Sequence, residues 1–137
     1  MSKSLSILVA VVTVLALSAF SCSVSTASLS DVKTGSALQQ KQVVKEVSEF
    51  SPDTATLYVS TKLNNAPDDT KVTFTWRYLE QGGQDIDSVA VVAKNGENLM
   101  NSSLSKPTNG WPTGRYEVVL KLGAKNSKPI HKKFSVR

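Results

Sequence analysis

The chain has 137 residues, enough for one domain, and carries a net charge of +5 with one cysteine and one histidine. A single cysteine excludes an internal disulfide, and no Cys/His spacing fits zinc, so packing alone must hold the fold. The positive charge is concentrated in residues 106–137, which hold eight basic side chains and one acidic side chain. Solvated outer faces and a guarded edge strand would account for this pattern, and so would contact with an anionic partner.

The first 21 residues have the pattern of a signal peptide. Lys3 supplies a positive start, and an apolar run of 16 residues follows from Leu5 to Phe20. That run is shorter than the ~20 residues that a helix needs to span a bilayer. Small residues then surround Cys22, so we expect residues 1–21 to be removed on export.

The sequence Ala19-Phe20-Ser21-Cys22 resembles the lipobox of bacterial lipoproteins. The resemblance implies that Cys22 is lipidated and anchors the mature protein to a membrane of the cell envelope. A lone cysteine agrees with this interpretation, because an unpaired thiol is a liability in an oxidising compartment. The alternative is a cut after Ala27, behind the small residues Ser25 and Thr26, which would release a soluble periplasmic or secreted protein without cysteine.

Residues 22–40 are mostly small and polar with no hydrophobic period, so they predict a flexible tether. The folded domain is expected at 41–137, where apolar and polar residues alternate as in strands half-buried against a core. Its first strand, over residues 42–47, has a weak pattern, and a short helix is the alternative there.

Six further strands follow, separated by turns rich in Pro, Gly, Asn and Asp. The pattern places them at 57–63, 72–78, 86–93, 97–105, 116–122 and 130–136. The strand at 72–78 has four large apolar residues on one face and is expected to form the centre of the core. Asn95-Gly96 predicts a tight hairpin between its flanking strands. Lys132 has the parity of core-facing residues, which is typical of a guarded edge strand.

Residues 109–116 read Asn-Gly-Trp-Pro-Thr-Gly-Arg-Tyr and form the most specific stretch in the chain. Pro112 presets φ for a turn, and Gly114 can adopt the left-handed or bulged conformation that restarts a strand. Trp111 can then cap the open end of the core, while Tyr116 enters it. We predict a structural corner here, and the alternative is that Trp111 serves as a stacking platform for a ligand.

This Gly-Trp-Pro-x-Gly-x-Tyr stretch, followed by a last strand with Phe134-x-Val136, resembles the C-terminal end of small immunoglobulin-like domains in exported bacterial proteins. The likeness covers about residues 48–137. It implies an all-β fold, a single immunoglobulin-like sandwich of two antiparallel sheets with about seven strands. Members of this family are mostly accessory or binding modules, and the resemblance implies no catalytic residues.

The sequence contains no pattern that is typical of a catalytic, metal or cofactor site. There is no nucleophile elbow, phosphate-binding loop or calcium loop, although Asp85 and Asp87 are expected on one strand face. His131 is predicted to point outward among basic neighbours. Candidate contacts with an unidentified protein or glycan partner are Trp111, Lys121, His131 and Lys133. We therefore expect a non-enzymatic binding module without cofactors or nucleic acid, and a soluble inhibitor or carbohydrate-binding module is the alternative.

Overall fold

A computed structural model describes residues 26–124 and 127–137. The predicted signal peptide and Cys22 lie outside these residues. The described ranges contain ten strands and no helix. In chain order the strands are β1 (Ser28–Gly35), β2 (Leu38–Gln39), β3 (Gln42–Val43), β4 (Glu49–Phe50), β5 (Thr56–Asn64), β6 (Lys71–Tyr78), β7 (Gln84–Val92), β8 (Leu99–Ser105), β9 (Gly114–Leu122) and β10 (Ile130–Val136).

The strands form two main sheets and one small hairpin. A three-stranded antiparallel sheet has the order β1-β5-β8, and a five-stranded sheet has the order β4-β10-β9-β6-β7. The five-stranded sheet is antiparallel except at β4, which pairs in parallel with the end of β10. β2 and β3 pair only with each other. The fold is therefore all-β, as predicted.

The two sheets pack on one hydrophobic core, which gives the molecule a sandwich-like architecture. Strands predicted from the period of two supply most of this core, since alternate residues of a strand point to the same face. The largest fully buried side chain is Trp76, whose Nε1 donates a hydrogen bond to Ser102 Oγ of the opposite sheet at 3.1 Å. This bond places β8 over β6.

The structure corrects the tether predicted at residues 22–40. Residues Ser28–Gly35 form β1, which pairs antiparallel with β5 along its whole length, with a register shift between Ser30 and Lys33. β1 has a weak hydrophobic pattern because it is an edge strand, and only Leu29 and Val32 pack against the core. Its pairing partner lies far away in the sequence, so no local pattern announces it.

The first strand predicted at 42–47 is also corrected. Only Gln42–Val43 is extended and paired, and it closes a two-residue turn with β2. The hairpin packs beside β5, where the Val43 amide donates to Ser60 Oγ at 2.9 Å. A Cβ on Gly35 would lie 2.5 Å from Val43 Cγ1, so this close approach requires a glycine.

The turn predicted at Asn95-Gly96 is present, and both residues have positive φ. The strands on either side do not form the predicted hairpin, because β7 belongs to the five-stranded sheet and β8 to the three-stranded sheet. The turn thus carries the chain from one layer to the other. A turn signal describes local backbone geometry and leaves the pairing of the flanking strands open.

Lys132 has the core-facing parity that was predicted, and its side chain is 28% exposed. Its ammonium group forms an ion pair with Glu46, which explains how a charge is accommodated at this position. The hydrogen bond from Lys132 also holds the pKa of the Glu46 carboxyl below its usual value. The end of β10 is covered by β4 through Ser135 and Val136, so β10 is an open edge only along its first part.

Candidate functional site

Three of the four predicted contact residues share one surface. Lys121 of β9 and His131 and Lys133 of β10 all lie on the outer face, which we define as the side of the five-stranded sheet turned away from the core. Their neighbours in the sequence, such as Leu120 and Phe134, point into the core. Because side chains alternate along a strand, the buried set determines the outward set.

The outer face is crossed by a charged row, which consists of Asp85, Arg77, Glu117 and His131 on four neighbouring strands. Arg77 Nε donates to Asp85 Oδ1 at 2.8 Å, and Arg77 Nη1 donates to Glu117 Oε1 at 3.2 Å. His131 Nδ1 lies 3.0 Å from the other carboxylate oxygen of Glu117. The row runs perpendicular to the strands, because Arg77 is directly opposite both Asp85 and Glu117 in the ladder.

Glu117 is the least exposed member of the charged row, with 6% of its side chain accessible. A carboxylate with so little solvent needs partners, and Arg77 and His131 each take one of its oxygens. Lys133 lies directly opposite Glu117 in the β9–β10 ladder. The row therefore fixes the side chains of this face in a defined arrangement.

Small and basic residues surround the charged row. Short side chains cover the centre of the face next to it, and Thr75 Oγ1 and Ser88 Oγ hydrogen-bond at 3.0 Å. Lys121 and Lys133 form no ion pair within the described residues. The ammonium groups of Lys121 and Lys133, beside this surface of small residues, can attract an acidic partner, and such attraction weakens with added salt.

Arg115 continues the outer face at the start of β9. Its Nε donates to Glu80 Oε1 at 2.9 Å, and its amide donates to the same oxygen at 3.1 Å. These hydrogen bonds hold the pKa of the Glu80 carboxyl below its usual value. Arg115 is thus occupied by an internal partner, unlike Lys121 and Lys133.

Trp111, the fourth predicted contact, lies at the end of the core and is only 4% exposed. Its Nε1 donates to the Thr54 carbonyl at 2.7 Å, and its ring packs edge-on against Tyr116. The contact with Tyr116 lies within the predicted structural corner, and the bond to Thr54 ties the corner to the turn before β5. With 4% of its surface exposed, Trp111 offers little area on which a ligand could stack.

The corner has the geometry that its residue types predicted. Gly114 has a φ of +138°, and Tyr116 is buried in the core. The Tyr116 hydroxyl donates to the Pro112 carbonyl at 2.6 Å, which ties the strand back to the turn before it. Burial, and to a smaller extent the neighbouring Tyr78, raises the pKa of Tyr116 to about 12.

A shallow groove of about 180 Å³ lies beside the corner. Ile86 of β7 forms one wall, and Trp111 and Pro112 contribute to the other. The polar atoms of its aromatic residues are already used, since the hydroxyl of Tyr78 donates to Thr113 O and that of Tyr116 to Pro112 O. The groove therefore offers mainly apolar contact.

Asp85 and Asp87 do not share one face, which corrects the sequence-based expectation. A register shift in the β6–β7 ladder puts Asp85 opposite Arg77 on the outer face and Asp87 opposite Trp76 on the inner side. Such a bulge adds one residue to a strand and so reverses the parity beyond it. Within the described ranges, no three His, Cys, Asp or Glu residues are grouped so that they could hold a metal ion.

Sequence reasoning missed Arg77 and Glu117 as members of the site. Both have outward parity on strongly predicted strands, so the sequence did indicate that they point to the outer face. Their juxtaposition depends on which strands are neighbours and in what register, and the pattern of one strand contains neither.

The comparisons with known proteins give remote structural similarity. No family model matches the chain, and no curated protein matches it. Among solved structures, a β-glucosidase of Erythrobacter marinus aligns with a TM-score of 0.48 and 12% identity over 81% of this chain. This chain spans 15% of the length of that glucosidase. The soluble domain of PmoD from Methylocystis sp. aligns with a TM-score of 0.46 and 14% identity, covering 77% of this chain and 89% of that one.

No helix in the described part of the chain is both long enough and apolar enough to cross a membrane.

Proposed function

We propose that this protein is a non-enzymatic, immunoglobulin-like binding module of the bacterial cell envelope, held at a membrane by a lipid on Cys22. Its outer face is the contact surface for a protein or glycan partner. The observation that carries this proposal is that Lys121, His131 and Lys133 share the outer face, where His131 pairs with the buried carboxylate of Glu117 and Lys133 lies directly opposite it.

Two features support the immunoglobulin-like assignment. The hydrogen bond from Tyr116 to Pro112 resembles the tyrosine corner of such domains, in which a tyrosine early in the penultimate strand bonds back to the preceding turn. In antibody domains the second cysteine follows two residues after this tyrosine, and here Val118 takes that place. Trp76 of β6 corresponds to the buried tryptophan on the third strand of immunoglobulin domains, and it packs edge-on against Phe134.

The charge of the outer face favours an acidic partner. Within the charged row, Arg77 lies between Asp85 and Glu117 and compensates one of their two negative charges. The ammonium groups of Lys121 and Lys133 remain to attract carboxylates or acidic sugars. The side chains of the charged row are already held in place, so they would lose little conformational entropy when a partner binds.

Lipidation of Cys22 would place the domain close to the membrane. Since β1 begins at Ser28, the connection from Cys22 is short, and even a fully extended chain would span only about 20 Å. The corner containing Trp111 lies at the other end of the strands and would point away from the bilayer, because Gly114 and Ser28 mark opposite ends of the sandwich.

The anchor is tested by the intact mass of the protein extracted from membranes of its native host. A chain that begins at Cys22 and carries acyl groups supports the proposal. A chain that begins at Ser28 without lipid contradicts the anchor and supports the soluble alternative. β1 would remain whole in that case, because its first residue is Ser28.

The binding face is tested by photo-reactive amino acids placed singly in the chain in living cells of that host. Adducts are expected from Lys121 and Lys133. The matched control is Lys62, a half-exposed lysine of β5 in the other sheet. Equal adducts from Lys62, or none from Lys121, would contradict binding through the outer face.

A further inference from the structure

One edge of the five-stranded sheet is left without a partner or a cover among the described residues. β7 pairs only with β6, and every residue of β7 from Gln84 to Ala90 is exposed. β8 lies over β6, so the three-stranded sheet ends before it reaches β7. The inner side of β7 is therefore exposed as far as Val89, and Val91 beyond it packs against the core.

The second half of this uncovered strand, Val89–Val92, is apolar. The described residues include three exposed large hydrophobic side chains, and two of them, Ile86 at 42% and Val89 at 40%, belong to β7. Val91 is half-buried on the same inner side as Val89, opposite Val72 of the core. A long, exposed, apolar edge is a template for pairing with another strand.

The edges formed by β1 and β10 carry devices that oppose pairing, whereas the second half of β7, Ser88–Val92, does not. The edge strand β8 has no such device of its own, but it lies beside the β2–β3 hairpin, where Asn101 Nδ2 donates to the Lys41 carbonyl at 3.5 Å. β1 contains a register shift and the charged residues Asp31 and Lys33, and β10 carries Lys132 and is partly covered by β4. The segment Ser88–Val92 has no charge, no proline and no register shift. Natural sheets use such devices to prevent association, so their absence here points to an edge that is used.

We infer that β7 is the interface of a homodimer, in which two copies pair antiparallel through this edge with Ala90 on the two-fold axis. In that register Val89 of each copy lies opposite Val91 of the other, and the two alanines face each other. Both valines have inner parity, so the apolar residues of the two copies cover one another. The two five-stranded sheets then form one continuous sheet.

The charges of β7 favour a second copy as the occupant. Asp85 and Asp87 lie at one end of the strand, and Lys94 follows its other end. An antiparallel two-fold arrangement brings Lys94 of one copy level with the aspartates of the other, at both ends of the interface. In this register no two like charges lie directly opposite each other. Such opposition would destabilise the pairing of the two strands.

The test is disulfide cross-linking of the full-length protein, expressed in its native host and oxidised mildly in the envelope. Ala90→Cys places two thiols opposite each other at the Cα separation of an antiparallel pair, about 4.5–5.5 Å, within the range of a disulfide. The matched control is Thr73→Cys, which is directly opposite Ala90 on the same face but one strand inward. The protein without substitutions controls for Cys22.

A dimer band from Ala90→Cys at least about tenfold stronger than from Thr73→Cys is expected, because only the edge position holds its thiols at bonding distance. Ser88→Cys and Val92→Cys, mixed in the same cells, should cross-link to each other and identify the register. Equal bands from Ala90→Cys and Thr73→Cys would overturn the proposal, as would an adduct of Ala90→Cys with a protein of another mass.

A second variant separates self-pairing from chance encounters. Val89→Lys, added to Ala90→Cys, places a charge against the valine of the other copy and should remove the dimer band. Val89 is 40% exposed in one copy, so each copy should still fold, which the circular dichroism spectrum of the variant checks. A dimer band that survives Val89→Lys would contradict pairing through this side of β7.

Discussion

The corner at residues 109–116 and the β2–β3 hairpin both contain residues with positive φ, but the residue types at these positions differ. At the corner the positions are Gly110, with φ +80°, and Gly114, with φ +138°. In the hairpin they are Gln40, with φ +51°, and Lys41, with φ +67°. Glycine adopts such angles without steric cost, whereas side chains with a Cβ do not.

The difference shows what holds each turn in place. The corner matches residue type to backbone, and its own side chains complete it through the bond from Tyr116 to Pro112. The hairpin depends on the rest of the molecule: Val43 is buried, its amide bonds Ser60, and Lys41 forms an ion pair with Glu97. A locally determined turn is readable from sequence, and a turn imposed by tertiary contacts is not.

The largest expected effect comes from Gly114→Val, which places a β-branched residue at a position of the corner with positive φ. A Cβ at this position would lie 2.7 Å from Glu80 Cγ and 3.2 Å from the ring of Tyr78. The combined crowding and backbone strain should lower the free energy of unfolding by about 3 kcal/mol or more. Urea unfolding followed by tryptophan fluorescence measures this loss.

Gly82→Val is the control for Gly114→Val. Gly82 has a φ of +85°, but a Cβ added there would meet no atom within 4 Å, so only backbone strain acts at this position. A loss of about 1–2 kcal/mol is expected. Equal losses for the two variants would show that crowding by Glu80 and Tyr78 contributes nothing.

Tyr116→Phe removes the hydroxyl that closes the corner. The part-buried bond to Pro112 should be worth about 1–2 kcal/mol in the free energy of unfolding. Tyr78→Phe is the matched control, because its hydroxyl bonds Thr113 at an exposed position and should matter less. If Tyr78→Phe costs as much as Tyr116→Phe, the corner bond has no special role.

Tyr116 also predicts an alkaline dependence of stability. Its pKa is about 12 in the folded protein against an ordinary value of 10.0, mainly because burial disfavours the phenolate. The unfolded chain therefore releases this proton first, and its contribution to stability is lost as the pH rises from 10 through about 12. Over this pH range the free energy of unfolding of the wild type should fall more steeply than that of Tyr116→Phe.

The smallest effect is expected at the β2–β3 hairpin, where residues that tolerate positive φ can replace Gln40 and Lys41. Replacing Gln40 and Lys41 by Asn and Gly supplies the residues that a turn with two positive φ angles prefers. The free energy of unfolding of the double variant should rise by about 1 kcal/mol. Loss of the exposed ion pair between Lys41 and Glu97 should reduce this gain slightly. Lys41→Ala, which loses the ion pair and keeps the strain, is the control and should not gain stability.

Much of the five-stranded sheet and three contact residues on its outer face could be predicted from the sequence, but the charged row could not. Val118 and Leu120 predict a strand with a buried face, and their parity correctly predicts that Lys121 points outward. That Glu117 meets Arg77 and His131 depends on β9 lying between β6 and β10. Strand order arises from contacts between distant segments, which no local period encodes.

The sequence by itself determined the all-β character, the corner, and the face to which each residue of β6, β9 and β10 points. These features follow from local rules, namely the period of two and the restricted φ of proline and glycine. Only the tertiary structure decided that residues 28–35 form a strand, that Asp85 and Asp87 point to opposite sides, and that β7 lies uncovered. Pairing partners, register shifts and the extent of the opposite sheet decide these features, and each involves residues distant in the chain.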